Sequence, residues 1–131
     1  MIKILLPVFN INTRWYFGDV EEYKKAVIRI EGNDSILRSK IDNCQGFCSG
    51  SLAWVDDIAE VNTILHELSH MVHYILEAVG VDDEETRAYC TGYLGEKLFK
   101  AIDKKLRTKA QETETCVKEC KKGETNGKSK D

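Results

Sequence analysis

The sequence predicts an α+β fold in which a small mixed or antiparallel sheet from the N-terminal half packs on a helix and on the antiparallel helix that follows it. Three observations carry this. Residues 2–9 form an apolar run of Ile, Leu, Val and Phe, and residues 46–55 (GFCSGSLAWV) set larger side chains among glycines and serines. From residue 57 onward, two stretches repeat their apolar residues at the three- and four-residue spacing of a helical face. A chain of 131 residues can bury one core without disulfides, so one domain over residues 1–107 is expected. Beyond it, residues 108–131 are rich in Lys, Glu, Thr and Gly with Val117 nearly alone as an apolar residue, which predicts a frayed helix or a disordered tail.

Taken in order, residues 2–9 read as a buried strand, with Pro7 pointing to an edge position or a bulge. Asp19 and Glu22 have the spacing of a capping box, and Tyr23, Val27 and Ile30 lie at helical spacing, which predicts a short helix. Gly32, Asn33, Asp34 and Ser35 signal a loop, and the stretch from there to Asn43 fits a helical turn or a strand. Residues 46–55 fit a strand pair or one bulged strand. Asp57 and Glu60 then mark a helix start. Val61, Ile64, Leu65, Leu68, Val72, Ile75, Leu76 and Val79 make its apolar face, and Gly80 supplies the stop. The acidic run Asp82, Asp83, Glu84 and Glu85 favours a second helix N-terminus, continuing through Leu98, Phe99, Ile102 and Leu106. Ala88, Gly92 and Gly95 along it leave room for a neighbouring helix.

Several classes are disfavoured by composition. A formal charge of −3 lacks the basic surplus that phosphate-backbone binding requires, so nucleic acid is not an expected partner. No apolar stretch nears the roughly 20 residues that cross a bilayer, so no membrane span is expected. The N-terminus lacks a signal-peptide cleavage pattern, which points to the cytoplasm. Five cysteines, an odd number, suit reduced thiols better than a disulfide framework. Cys44-x3-Cys48 and Cys116-x3-Cys120 are wider than usual zinc knuckles, and Cys90 is expected to be a small buried apolar residue.

All three histidines, His66, His70 and His73, fall within eight residues of the first long helix. His66-Glu67-Leu68-Ser69-His70 is an HExxH motif, whose four-residue spacing puts both imidazoles on one face about 6 Å apart along the axis, where both can hold one zinc ion. Glu67, beside His66, is placed to act as general base on a zinc-activated water and then as acid toward the leaving group. A chance match would leave both histidines as solvated surface residues, but this motif sits mid-helix with its histidines on the polar face. Catalytic zinc takes three protein ligands. His73 lies about 7.5 Å along the axis beyond the midpoint of the pair, too far for the same ion on a straight helix. The expected third ligand is a carboxylate of the second helix, and helical phase alone leaves Glu84 and Glu85 open. Tyr74, Tyr89 and Tyr93 are candidates for steadying an oxyanion, though aromatic residues at helical spacing are more often packing.

The segment HELSH, followed by Glu85-Thr86-Arg87-Ala88-Tyr89 and Gly92-Tyr93-Leu94, resembles the gluzincin-type zincins, in particular small metallopeptidase-like proteins of bacteriophages and prophages. The resemblance covers roughly residues 49–98. It implies a minimal zincin-like fold, Glu85 as third ligand just ahead of an Ala-Tyr pair, and a peptide or protein substrate bound along an edge strand, for which residues 46–55 are the candidate. The expected function is therefore a zinc-dependent metallopeptidase. The alternative is a zinc-bearing regulatory module that acts through a protein partner without turnover.

Overall fold

The computed structural model describes residues 1–32 and 40–123, and within them the side chains of all but residue 31 and residues 116–123. Among the described residues it is mixed α+β, with a four-stranded sheet and three long helices. Two compact units divide the chain, residues 1–98 and 99–131. The first holds the strands β1 (Ile2–Leu6), β2 (Ile11–Phe17), β3 (Gly46–Ser49) and β4 (Leu52–Val55) and the helices α1 (Val20–Glu31) and α2 (Val61–Val79). The third helix, α3 (Glu84–Gly123), contributes residues 84–98 to this unit and is the second unit's described part, where residues 106–115 are exposed.

The strand predicted over residues 2–9 ends at Leu6, and a second strand that the sequence did not announce begins at Ile11. Pro7 has no N–H for a ladder and opens a turn instead, closed by Asn10 N–H donating to Pro7 O at 3.2 Å, with Asn10 in the left-handed region at φ 54°. Polar residues in β2 hide its alternation. Thr13 is fully buried because its hydroxyl donates to Ile4 O at 3.1 Å, so a polar residue occupies a core-facing position without an unmet hydrogen bond.

Residues 46–55 form the predicted strand pair, β3 and β4, around the two-residue loop Gly50-Ser51. Gly50 takes φ 56° at its first position, the backbone that glycine adopts without a Cβ clash. The sheet order is β1-β2-β4-β3, antiparallel except for the parallel β2/β4 pair. That parallel pair requires a crossover, which α1 supplies. All four residues of β4 are buried, since both faces of this inner strand are covered. Tyr16, Leu52 and Trp54 face one side and pack with Tyr23, Ala26 and Val27 of α1 and with Ile41. Trp15, Cys48, Ala53 and Val55 alternate onto the other side, where Gly46 meets α2.

Helix caps depart in detail from those expected. Asp19 accepts from Glu21 N–H at 2.9 Å, so it caps α1 alone and not as a reciprocal box with Glu22. Asp57 accepts from Ala59 N–H at 2.9 Å, which makes a separate turn, and α2 starts only at Val61 without a side-chain cap. The stop is as expected: Gly80 is left-handed at φ 70° and donates to Glu77 O and Leu76 O. Asp83 accepts from the backbone N–H groups of Glu85 (3.3 Å) and Thr86 (2.8 Å) and from the Thr86 hydroxyl, which holds its carboxyl below the usual value and starts α3 at Glu84. Along α2, Ile64, Leu68, Val72, Ile75 and Leu76 are buried as predicted and Met71 joins them, whereas Val61, Leu65 and Val79 are exposed, because the covered stripe lies to one side of the apolar one. The loop expected at 33–35, the undecided stretch up to residue 39, and the side chains of Cys116 and Cys120 lie outside the described residues.

Candidate metal and acid–base site

Helical spacing brings the histidine pair together on α2. His66 Nε2 and His70 Nε2 are 3.1 Å apart, with ring planes at 83° and both side chains exposed. Two nitrogens bound at about 2.0–2.1 Å to one tetrahedral zinc stand about 3.3 Å apart, so the pair matches two positions of such a shell. The same geometry also allows one neutral ring to donate to the other. His73 is exposed and contacts Tyr74, with ring centroids 5.9 Å apart, and does not join the pair. Of the three tyrosines, Tyr74 is the one beside it, stacked on His70 at 6.1 Å, whereas Tyr89 stacks on Tyr93, under the Lys97 ammonium, on α3.

Glu67 points elsewhere, about 100° round the helix from His66, and is only 4% exposed. It lies under edge strand β3. A Cβ at Gly46 would stand 2.7 Å from Thr63 Cγ2 and 2.9 Å from Glu67 Oε1, so the missing side chain is what allows strand and carboxylate to approach. Burial pushes the Glu67 carboxyl above its ordinary value, and nearby His66 pulls partly the other way. Beneath the same strand, burial and then the charge of Glu67 push the Cys48 thiol up, keeping it protonated. Cys44, Gln45, Gly46, Asn62, Thr63, His66 and Glu67 line one open cleft of about 390 Å³. Nothing in the spacing of Cys44, Gln45 or Gly46 announced this, because their proximity to the motif depends on the β3–β4 hairpin.

The carboxylates of α3 are not brought to the pair. Gly95 faces Leu68, with its notional Cβ 3.4 Å from Leu68 Cδ2. Leu68 lies midway between the two histidines in sequence and points about 160° away from each around the helix, so α3 meets α2 on the side opposite the pair. Glu85 precedes Gly95 by ten residues, about 15 Å along the axis toward the Gly80 turn. It is exposed, as is Glu84. Among the described residues, no three His, Cys, Asp or Glu side chains converge in a way that could hold a metal ion.

No described helix is long and apolar enough to cross a membrane. Comparison of the chain with protein-family models, with curated proteins and with solved structures returns no match.

Proposed function

We propose that this protein is a zinc-dependent hydrolase of peptide or amide bonds, with His66 and His70 as metal ligands and Glu67 as the proton-transfer group. The observation that carries the reading is the 3.1 Å convergence of the two ring nitrogens beside a buried carboxylate with a raised proton affinity. A zinc ion held by the pair would supply Lewis acidity, polarising a carbonyl and making a water molecule more acidic. Glu67, packed against Gly46 and Thr63, is suited to accept that water's proton and hand it to the departing amine, because burial raises its basicity. Among the described residues β3 is the last strand of the sheet, which is where an extended peptide would pair beside the cleft. The resemblance to gluzincin-type zincins supplies the substrate class, and a cytoplasmic site suits the free thiols of Cys44, Cys48 and Cys90.

Metal analysis of protein purified without chelator tests this directly, with about one zinc per chain expected. Absence of tightly bound metal, together with failure to take up added zinc, overturns it. A second reading, a zinc-bearing module that regulates a protein partner, is favoured by the placement of α3 away from the histidines. Zinc-loaded protein that cleaves nothing in a broad peptide library decides for that reading.

A further inference from the structure

We propose that the cleft between β2 and α1 is an anion site that takes a small phosphate monoester, on the face of the sheet away from α2. Three cationic side chains come together there from two elements. Arg14 and Tyr16 alternate onto the same face of β2, and Glu22, Lys25, Ala26 and Arg29 follow the three- and four-residue spacing of one face of α1. Together they line one cleft of about 360 Å³, a volume within the roughly 300–1,000 Å³ of small-molecule sites. Its cations outnumber its carboxylate three to one, in a chain whose formal charge is −3.

Two features mark the cleft as built for a guest. No described carboxylate stands within ion-pair distance of Arg14, Lys25 or Arg29. Lys25 and Arg29 are four residues apart on α1, where like charges repel, so an anion beside both relieves a cost that the fold leaves standing. The second feature is Tyr16, which is only 7% exposed and packs edge-on against Tyr23 with ring centroids 5.8 Å apart. Its hydroxyl bonds to no described residue and is not sealed from solvent, so it is left to donate into the cleft that Tyr16 lines. A phosphate suits this set better than a carboxylate does. Each guanidinium presents a planar fork to two phosphate oxygens, Lys25 adds a point charge, and a dianion answers three cations more fully than a single charge. Ala26 and the exposed Ile30 line the remainder, which fits a small apolar ester group.

Calorimetric titration of the full chain with phenyl phosphate and with inorganic phosphate provides the test. Phenyl phosphate should bind saturably at one site, and inorganic phosphate at least about threefold more weakly, because it leaves Ile30 uncovered. Arg14→Gln and Arg29→Gln should each weaken phenyl phosphate by at least about tenfold. Glu22→Gln removes the opposing charge and should tighten it. Tyr16→Phe should weaken it by about threefold without lowering the melting temperature of the free protein, since the hydroxyl has no partner among the described residues. His66→Ala should leave binding unchanged, which separates this site from the candidate zinc centre, and so should Lys104→Gln, an exposed cation of α3. The proposal is overturned if phenyl phosphate shows no saturable binding, or if Lys104→Gln weakens it as much as Arg29→Gln does. If the protein instead sediments with phosphatidylglycerol vesicles while phenyl phosphate does not bind, the cations serve a lipid surface and the proposal fails likewise.

Discussion

Gly46 stands so close to Glu67 that a single methyl group on the strand would lie 2.9 Å from the carboxylate oxygen Oε1 and 2.7 Å from the branched methyl of Thr63. Thr63 Cγ2 sits on a short branched side chain with few rotamers, so Gly46→Ala strains the contact between strand and helix. The expected cost is about 1–3 kcal/mol in chemical denaturation. Because the strain falls at the candidate base, turnover should fall with it while zinc content is kept.

Glu67 sets a conflict between stability and chemistry. Its carboxyl is raised above the ordinary value of 4.5, chiefly by burial, so the folded chain holds the proton to higher pH than the unfolded chain does. Below pH 4.5 both forms are protonated and no penalty exists. As pH climbs from there through the folded value, the folded state loses stability. In metal-free protein, Glu67→Gln should therefore raise the melting temperature at neutral pH and have little effect near pH 4. Equal melting temperatures of wild type and variant across that range would show that the carboxylate is not penalised by its surroundings.

For the histidines, His66→Ala and His70→Ala should each weaken zinc by more than about a hundredfold, because chelation by two rings on one turn is lost. Both side chains are exposed, so thermal stability of the metal-free protein should change little. His73→Ala should leave zinc affinity unaltered. Calorimetric titration with zinc separates the three.

The α2–α3 contact gives a matched set. Leu68→Ala removes a side chain that is 1% exposed and should cost about 2–5 kcal/mol. At Gly92 a Cβ would meet nothing within 4 Å, so Gly92→Ala should stabilise the helix by about 0.5–1 kcal/mol. Gly95→Ala, whose Cβ would touch Leu68 Cδ2 at 3.4 Å, should gain less than Gly92→Ala. Urea denaturation of the three variants checks the order.

Much of the fold was legible because periodicity is a local property. The spacing of Ile64, Leu68, Val72, Ile75 and Leu76 marks the buried face of α2, and Gly80 marks its end, from nearest-neighbour geometry alone. Strand β2 was not legible. Its buried Thr13 is satisfied by Ile4 O, a partner nine residues away, and no local pattern reveals that. The true start of α2 was also hidden, since Asp57 and Glu60 have cap spacing but Asp57 spends its oxygen on Ala59.

By itself, the sequence determined that His66 and His70 share one face of one helix and that their rings can meet, because four residues make nearly one turn wherever the helix sits. Only the tertiary structure decided that Glu67 is buried under Gly46, that Cys44 shares a cleft with His66, and that α3 lies against Leu68 on the side away from the pair. These are contacts between segments some twenty or more residues apart. They are set by how the sheet and helices cover their apolar faces, which a spacing rule cannot contain.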